Sequence, residues 1–445
     1  MLAFPGSVLG EQRLSLNVRS GLRNMAADTN PITTRTPCRK GQPVRVRTGL
    51  IASLVAAALG SFVGPARAEP ASAAAATVTV GYVGAVREQR PGGSALDEVP
   101  RGEGVEGARL AIAENETSGR FLGRRFALVE HSVPAGGDPA PAIRALAVAG
   151  VHFVVADLDG DGLERAAATP EAAAITIFNA RAPDDRLRGP DCRPNVLHTA
   201  PSRAMLADGL AQYLAWKRWR RWFLIVGPSP GDRLYADAIR RSAARFGAQI
   251  VAEKAWTFQP GSGRADTGHV TLQAEIPSIT QAPDHDVLVV ADEDDVFGEY
   301  LIGRTARPRP VAGTHGLVAT AWSPVVEQWG AGQLQNRFKR QAGRRMNAVD
   351  YAAWAGVRAV GEAVFRSGKN DLDAITAFLR SPDFALSGFK GQGQSFRAWD
   401  GQMRQPILIT GPKLLVSASP QPGFLHRTSE LDTLGVDREE TTCKR

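Results

Sequence analysis

The sequence predicts an α/β protein built as two doubly wound lobes, and three observations carry that expectation. Short β-branched or apolar runs alternate with segments of helical apolar spacing, the pattern of parallel βαβ units in an open sheet. The alternation starts again after residue 200. The 445 residues also exceed one ordinary domain, and two lobes of roughly 150 residues each fit that length.

In the first series, Thr77–Val83 (TVTVGYV) is β-branched and predicts a strand. Gly104–Asn115 carries Val105, Ala108 and Ile112 at helical spacing. Phe126–Val129, Val151–Ala156 and Ala174–Phe178 predict further strands, with a helix over Ala140–Val148. In the second series, Ser202 is placed to cap a helix running to about Trp216, and Trp222–Val226 (WFLIV) predicts a buried strand. Asp232 is expected to cap a helix that reaches Phe246 and ends at Gly247. Gln249–Ala255 and Asp286–Ala291 predict strands, separated by a Pro260–Gly263 loop. Val349–Arg366 has Ala353, Val357, Val360 and Val364 on one helical stripe.

Charge excludes one class of partner. The net charge is +8, yet residues 1–68 hold nine basic and two acidic groups. The body after them is left at +1, too neutral for a nucleic-acid binder. Residues 1–68 predict a leader and signal peptide. Arg45 and Arg47 flank the apolar run Gly49–Val63, which is short for a membrane span. Ala66-Arg67-Ala68 then forms a small-x-small cleavage site. The mature chain is expected to begin at Glu69, in a spacer over 69–76, and to reside in the periplasm without membrane insertion; a retained anchor is the alternative. Cys38 would leave with the leader, and Cys192 and Cys443 remain. An even number of cysteines in an oxidising compartment predicts a Cys192–Cys443 disulfide.

Four passages resemble the periplasmic binding proteins of the leucine/isoleucine/valine type. Gly107–Asn115, with Gly119 and Leu122-Gly123 after it, is similar to that family's first helix and turn, and His198–Ser202 to its first crossover between lobes. Tyr351-Ala352-Ala353-Trp354 is similar to the long helix of the returning first lobe, and Gly391–Gly401 to the last crossover. The resemblance implies two Rossmann-like lobes joined by three crossover segments, the type I periplasmic-binding fold. Its implied partition is 77–200 with 318–390 in one lobe, and 201–317 with 391–445 in the other. Leu187–Cys192, Ala204–Gly209 and the tail from Gly423 resemble a subgroup of ABC-transporter binding proteins associated with alcohol oxidation by pyrroloquinoline quinone enzymes. The implied function is delivery of a small molecule to an inner-membrane ABC permease, by a monomer without a cofactor. A periplasmic sensing or interaction role is the competing class.

The site residues depart from the amino-acid-binding pattern. Where that family holds a carboxylate with small hydroxyl residues, this chain has Asp157-Leu158-Asp159-Gly160-Asp161, which would repel one. The Pro310–His315 segment is short for the acid that would pair an amino group, so a branched-chain amino acid is disfavoured. Candidate ligand-binding residues are Asp157, Asp159, Asn179, Arg181, Ser202, Asp292 and Glu293. Asp157, Asp159 and Asp161 copy the first half of a calcium loop, but Ala168 stands at its twelfth position. The plainer reading of the acidic loops is solvated residues capping the helices that follow, and metal ligation ranks below it.

Enzyme chemistries fare worse. Gly227-Pro228-Ser229-Pro230-Gly231 satisfies G-x-S-x-G, but Pro230 lacks the N–H an oxyanion hole requires. The seven histidines show no close pair for zinc. Trp216–Trp222 mixes cations with aromatics; it reads first as a helix end and strand start, with contact to a membrane partner as the remainder.

Overall fold

The computed structural model describes residues 76–87, 99–256, 275–368 and 371–444. The leader, the spacer up to 75 and the Pro260–Gly263 loop lie outside them. The first sheet has the order β2-β1-β3-β4-β5 and is parallel throughout. Its strands are β1 (Ala76–Ala85), β2 (Arg124–Val133), β3 (Phe153–Asp157), β4 (Thr176–Asn179) and β5 (Val196–His198). Helices α1 (Val105–Gly119), α2 (Ala140–Val148) and α3 (Gly160–Ala168) connect them. β3 and β4 are buried along their whole length, which explains why they lack the polar alternation of a half-exposed strand and keep polar residues only at their ends.

After β5, helix α4 (Arg203–Trp216) begins at its Ser202 cap, whose side chain accepts the Met205 N–H. Strand β6 (Arg221–Val226) leads to α5 (Pro230–Arg245), followed by β7 (Gln249–Ala255) and β8 (Val287–Ala291). The cap of α5 corrects the sequence expectation. Ser229 is the N-cap and Asp232 sits three residues inside, in a reciprocal capping box. Pro230 at the first helical position favours that earlier start.

Short strands β9 (Val311–Gly313) and β10 (Leu317–Thr320) follow, and the chain later returns as β14 and β15, described below. The sheet order is β15-β14-β10-β9-β8-β6-β7. β9 and β10 lie parallel although only three residues join them. Gly313, at φ 118°, makes this sideways step possible in a conformation that other residues rarely adopt. Because β10 belongs to the second sheet, the return to the first core begins at Trp322, slightly beyond the expected 318.

That return brings α6 (Ala331–Ala342), α7 (Ala348–Ser367) and α8 (Leu372–Leu379). Asn347 caps α7 and accepts the Val349 and Asp350 N–H groups. Tyr351, Trp354, Val357 and Val360 of α7 join α1, Phe153 and Phe178 in one core. The α1–α7 crossing is close: a side chain at Gly107 would collide with the Asp350 carbonyl. The other face of the first sheet packs Ile143, Leu146 and Leu163. The second sheet likewise has one core against α4 and α5 and another around Trp256 and Phe297.

The last passage between sheets contains the small antiparallel sheet β11 (Leu386–Ser387), β12 (Gly393–Phe396) and β13 (Met403–Arg404). It then reaches β14 (Ile407–Thr410) and β15 (Leu415–Ser419). The passages run side by side, with the His198 N–H donating to the Gly401 carbonyl at 2.8 Å. The Gln402 amide donates to the carbonyls of His198 and Ala200, and Gln405 donates to Thr199. Buried Lys390 donates to the Gln405 side chain at 2.6 Å and lies 4.5 Å from the Tyr351 ring centre. Trp322 stacks on the opposite side of this aromatic group, 4.6 Å from Tyr351.

The expected disulfide is present: Cys192 and Cys443 are bonded, 251 residues apart. Between them the tail is docked onto α4 and α5. The buried Asp208 accepts the Gly435 N–H, and the Gly435 carbonyl takes Arg241 and Arg245. Asp432 holds both Arg397 and Arg404. Closing so long a loop limits the unfolded chain, so Cys443→Ser should lower unfolding stability by about 2–4 kcal/mol in urea titrations. An unchanged midpoint would mean that the docked tail holds without the bond.

Lys390 gives a second expectation. Burial pushes its ammonium well below the ordinary lysine value. Between the lowered folded value and the ordinary one, the unfolded chain binds the extra proton, so stability rises with pH across that window. Lys390→Met should flatten the rise between neutral pH and about pH 10, read as urea midpoints. A parallel pH dependence in both proteins would contradict it.

Candidate functional site

The C-terminal ends of parallel strands are where open α/β sheets bind ligands, and the first sheet carries a cavity of about 550 Å³ there. Gly84 and Ala85 end β1, Glu130–Ser132 end β2, Asp157 ends β3, and Arg181 follows β4. The entry to α1 adds Gly102, Glu103 and Val105.

Inside it, opposite charges satisfy one another. Arg181 contacts Asp157 through Nε and, at 3.2 Å, through Nη2. Its Nη2 also meets Glu103 at 2.6 Å. Tyr82 donates its hydroxyl to Asp157 at 2.7 Å, and Asn347 donates to Glu103. Burial opposes the charge on Arg181, but Asp157 and Glu103 outweigh it and raise its pKa. Burial alone would raise Glu103; Arg181, Asn347 and Arg87 bring its carboxyl below the ordinary value. Burial first, and then Asp157, push the Tyr82 phenol upward. The result is a fixed polar floor.

A second cluster joins the connections of the two sheets. Arg203, the first residue of α4, forms a two-pronged contact with Glu293 at 2.9 and 2.7 Å and lies 3.4 Å from Asp184. The loop after β4 is also tied to the start of α4, with the Arg203 N–H donating to the Pro183 carbonyl and the Ala204 N–H to the Asp185 carboxylate. Glu293 follows β8, and its own N–H donates to Asp232. Its carboxyl is raised by burial and by Asp232, against the lowering effect of Arg203.

Of the residues singled out from the sequence, Asp157 and Arg181 share the cavity, while Glu293 belongs to the second cluster. Asp159 caps α3 through the Gly162 N–H. Asn179 is fully buried, donating to the Ala182 carbonyl and accepting from the Arg181 and Ala182 N–H groups. Ser202 caps α4. Asp292 accepts the N–H groups of Val296, Phe297 and Gly298, capping a single helical turn. Asp161 points to Arg186 in solvent, so the three carboxylates of the calcium-like stretch go to three different partners. Among the described residues, Asp292, Asp295 and His315 place ligand atoms within 4.8 Å of one another. Asp292 is already committed to its three donors, and His315 to Asp295 at 2.8 Å. The Ser229 hydroxyl accepts the Asp232 N–H as a helix cap.

Sequence reading missed Tyr82, Glu103, Asp184 and Arg203. The only available signal was the position of Tyr82 near a strand end and of Glu103 just ahead of a helix.

Two mostly parallel sheets, each covered by helices and joined by three chain passages, define the type I periplasmic-binding fold. Residues 99–275 match the model of a family described as periplasmic binding protein. A periplasmic binding protein from Burkholderia mallei aligns over 82% of this chain and 98% of its own, with 15% identity and a TM-score of 0.56. A branched-chain amino acid ABC transporter periplasmic ligand-binding protein from Burkholderia xenovorans aligns over 77% and 95%, with 15% identity and a TM-score of 0.59. A branched-chain amino acid transporter substrate-binding protein from Streptococcus pneumoniae, solved in complex with isoleucine, aligns over 77% and 98%, with 16% identity and a TM-score of 0.55. At these identities the likeness is one of fold. No curated protein sequence matches the chain.

The buried Arg181 contact predicts an asymmetric response to mutation. Arg181→Ala leaves buried Asp157 without its cation and Glu103 with only the more exposed Arg87, 3.9 Å away, and should cost about 3–5 kcal/mol. Combining Arg181→Met with Asp157→Asn and Glu103→Gln should recover most of that loss, because no uncompensated charge remains. Chemical denaturation of the two variants compares them; equal losses would remove the ion pair as the cause.

Proposed function

We propose that this chain is the periplasmic solute-binding component of an ABC transporter. It takes a small molecule between lobes built on the two sheets, and an inner-membrane permease reads the closed form. The strand ends carry the proposal: Asp157 and Arg181 pair at the C-terminal ends of the first sheet, and Arg203 links Glu293, after β8, to Asp184, in the connection after β4. A ligand bridging both lobes favours closure by its differential affinity for the closed state.

The ligand we assign is not a branched-chain amino acid, although neighbours of the same fold are named for that activity. Asp157 and Arg181 already neutralise each other, and Asn179 is committed to backbone partners. A free α-carboxylate would meet the carboxylates of Asp157 and Glu103 close to any cation it sought. The subgroup resemblance around Leu187–Cys192 and in the tail supports a ligand connected with quinoprotein alcohol oxidation. The leader reading and the family match support a periplasmic location.

A thermal-shift screen tests this with leucine, isoleucine and valine against short alcohols, aldehydes, organic acids and pyrroloquinoline quinone. A specific ligand at 100 times its Kd should add about 2.7 kcal/mol, a shift of several degrees, and the three amino acids should add none. A shift with isoleucine alone would restore the amino-acid reading. Silence across the screen would count against solute binding itself.

A further inference from the structure

At the end of the second sheet away from the strand tips, two turns bring cations together. Lys217, Arg218 and Arg220 occupy the turn between α4 and β6, Arg221 begins β6, and Arg307 and Arg309 lead into β9. All six are exposed. Arg221, Arg307 and Arg309 converge on a single carboxylate, Asp284, at 3.0, 3.3 and 2.9 Å. Asp286, also at this edge, is occupied in accepting the backbone N–H groups of Arg220 and Arg221. The side chains of Lys217, Arg218 and Arg220 meet no carboxylate among the described residues. Excess positive charge is therefore concentrated on a face of a body whose net charge is only +1.

Trp216 lies among these cations, 51% exposed, with the Lys217 ammonium 4.8 Å from its ring centre. The neighbouring aromatics are used differently. Trp222 is buried and donates to the Trp219 carbonyl, while Trp219 packs edge-on against Tyr213. A single-stranded nucleic acid needs several exposed rings for successive bases, and only Trp216 offers one here. An anionic bilayer needs clustered cations and an amphipathic ring at headgroup depth. This face supplies both.

We infer that the Trp216–Arg221 and Arg307–Arg309 face docks peripherally on an anionic phospholipid surface. Such docking leaves the strand tips of the second sheet directed away from the bilayer. It is independent of what the chain binds between its lobes.

Hydrogen–deuterium exchange of the full chain with vesicles tests the inference. Vesicles with about 30% phosphatidylglycerol are compared with pure phosphatidylcholine, at low and at about 0.5 M salt. Amides around 216–221 and 307–309 should be protected only on the anionic vesicles and only at low salt. Lys217→Glu/Arg220→Glu/Arg307→Glu should weaken that protection at least tenfold in lipid titrations while leaving the thermal midpoint nearly unchanged, because all three side chains are exposed. Leader-mediated vesicle binding would leave these two segments unprotected, so unprotected segments on bound chain overturn the inference. Protection that is equal on neutral vesicles, or that appears with a single-stranded oligonucleotide but not with lipid, also overturns it.

Discussion

Three times the chain must pass between two sheets through a buried region where no full strand ladder receives its backbone. That requirement sets the rest of the architecture. Buried backbone groups need partners, and here long side chains from neighbouring passages supply them. Gln402 reaches the His198 and Ala200 carbonyls, Gln405 reaches Thr199, and Arg188 reaches Ala182, Ala200 and the Gln402 side chain. Burial lowers the Arg188 guanidinium to about 10, and its hydrogen bonds go to neutral oxygens. The aromatic column of Trp322, Tyr351 and Trp354 gives the same region a stiff wall. Beyond these contacts, the connections after β4 and β8 meet at Arg203, which reaches both Asp184 and Glu293.

The polar floor of the first sheet follows the same rule with formal charges. Removing Asp157, Glu103 and Arg181 from water is costly, and their mutual contacts offset that cost only because both carboxylates gain a further donor, Tyr82 for Asp157 and Asn347 for Glu103. A self-satisfied cluster is a poor anchor for a zwitterion, which would have to break existing contacts to make its own. It is a suitable surface for a ligand that approaches with neutral polar groups and leaves the ion pairs intact. The proposed exclusion of branched-chain amino acids therefore rests on the chemistry at the strand tips and not on the fold.

Much of the fold was legible because its central strands are compact, mainly apolar runs and its main helices are periodic. β7 and α2 have the bounds expected from sequence, and β1, β6, β8 and α7 differ only at their ends. The second sheet's outer half was not legible. β9 and β10 are three and four residues long, and their pairing depends on Gly313 rather than on a hydrophobic pattern. Two strands of the last passage, β11 and β13, are shorter still at two residues each. At the site, the acidic loops were visible but their partners were not. Asp157 pairs 24 residues away with Arg181, and Glu293 pairs 90 residues away with Arg203. Charge can be read along a chain; which charges cancel depends on three-dimensional packing.

The same limit applies to net charge as a guide to surface chemistry. A value of +1 for the body suggested an electrically bland molecule, yet the second sheet is polar along its strands. Asp232 and the run Asp292–Asp295 cluster at the C-terminal strand ends, where Arg203 offsets part of their charge. The excess cations sit at the opposite ends, around Arg221 and Arg309. A field of this kind vanishes from a sum but not from a surface, because screening at physiological salt acts over about 8 Å, less than the length of these strands with their loops. Partners at the two ends therefore encounter two differently charged surfaces, and the acidic end is the one whose groups are already paired.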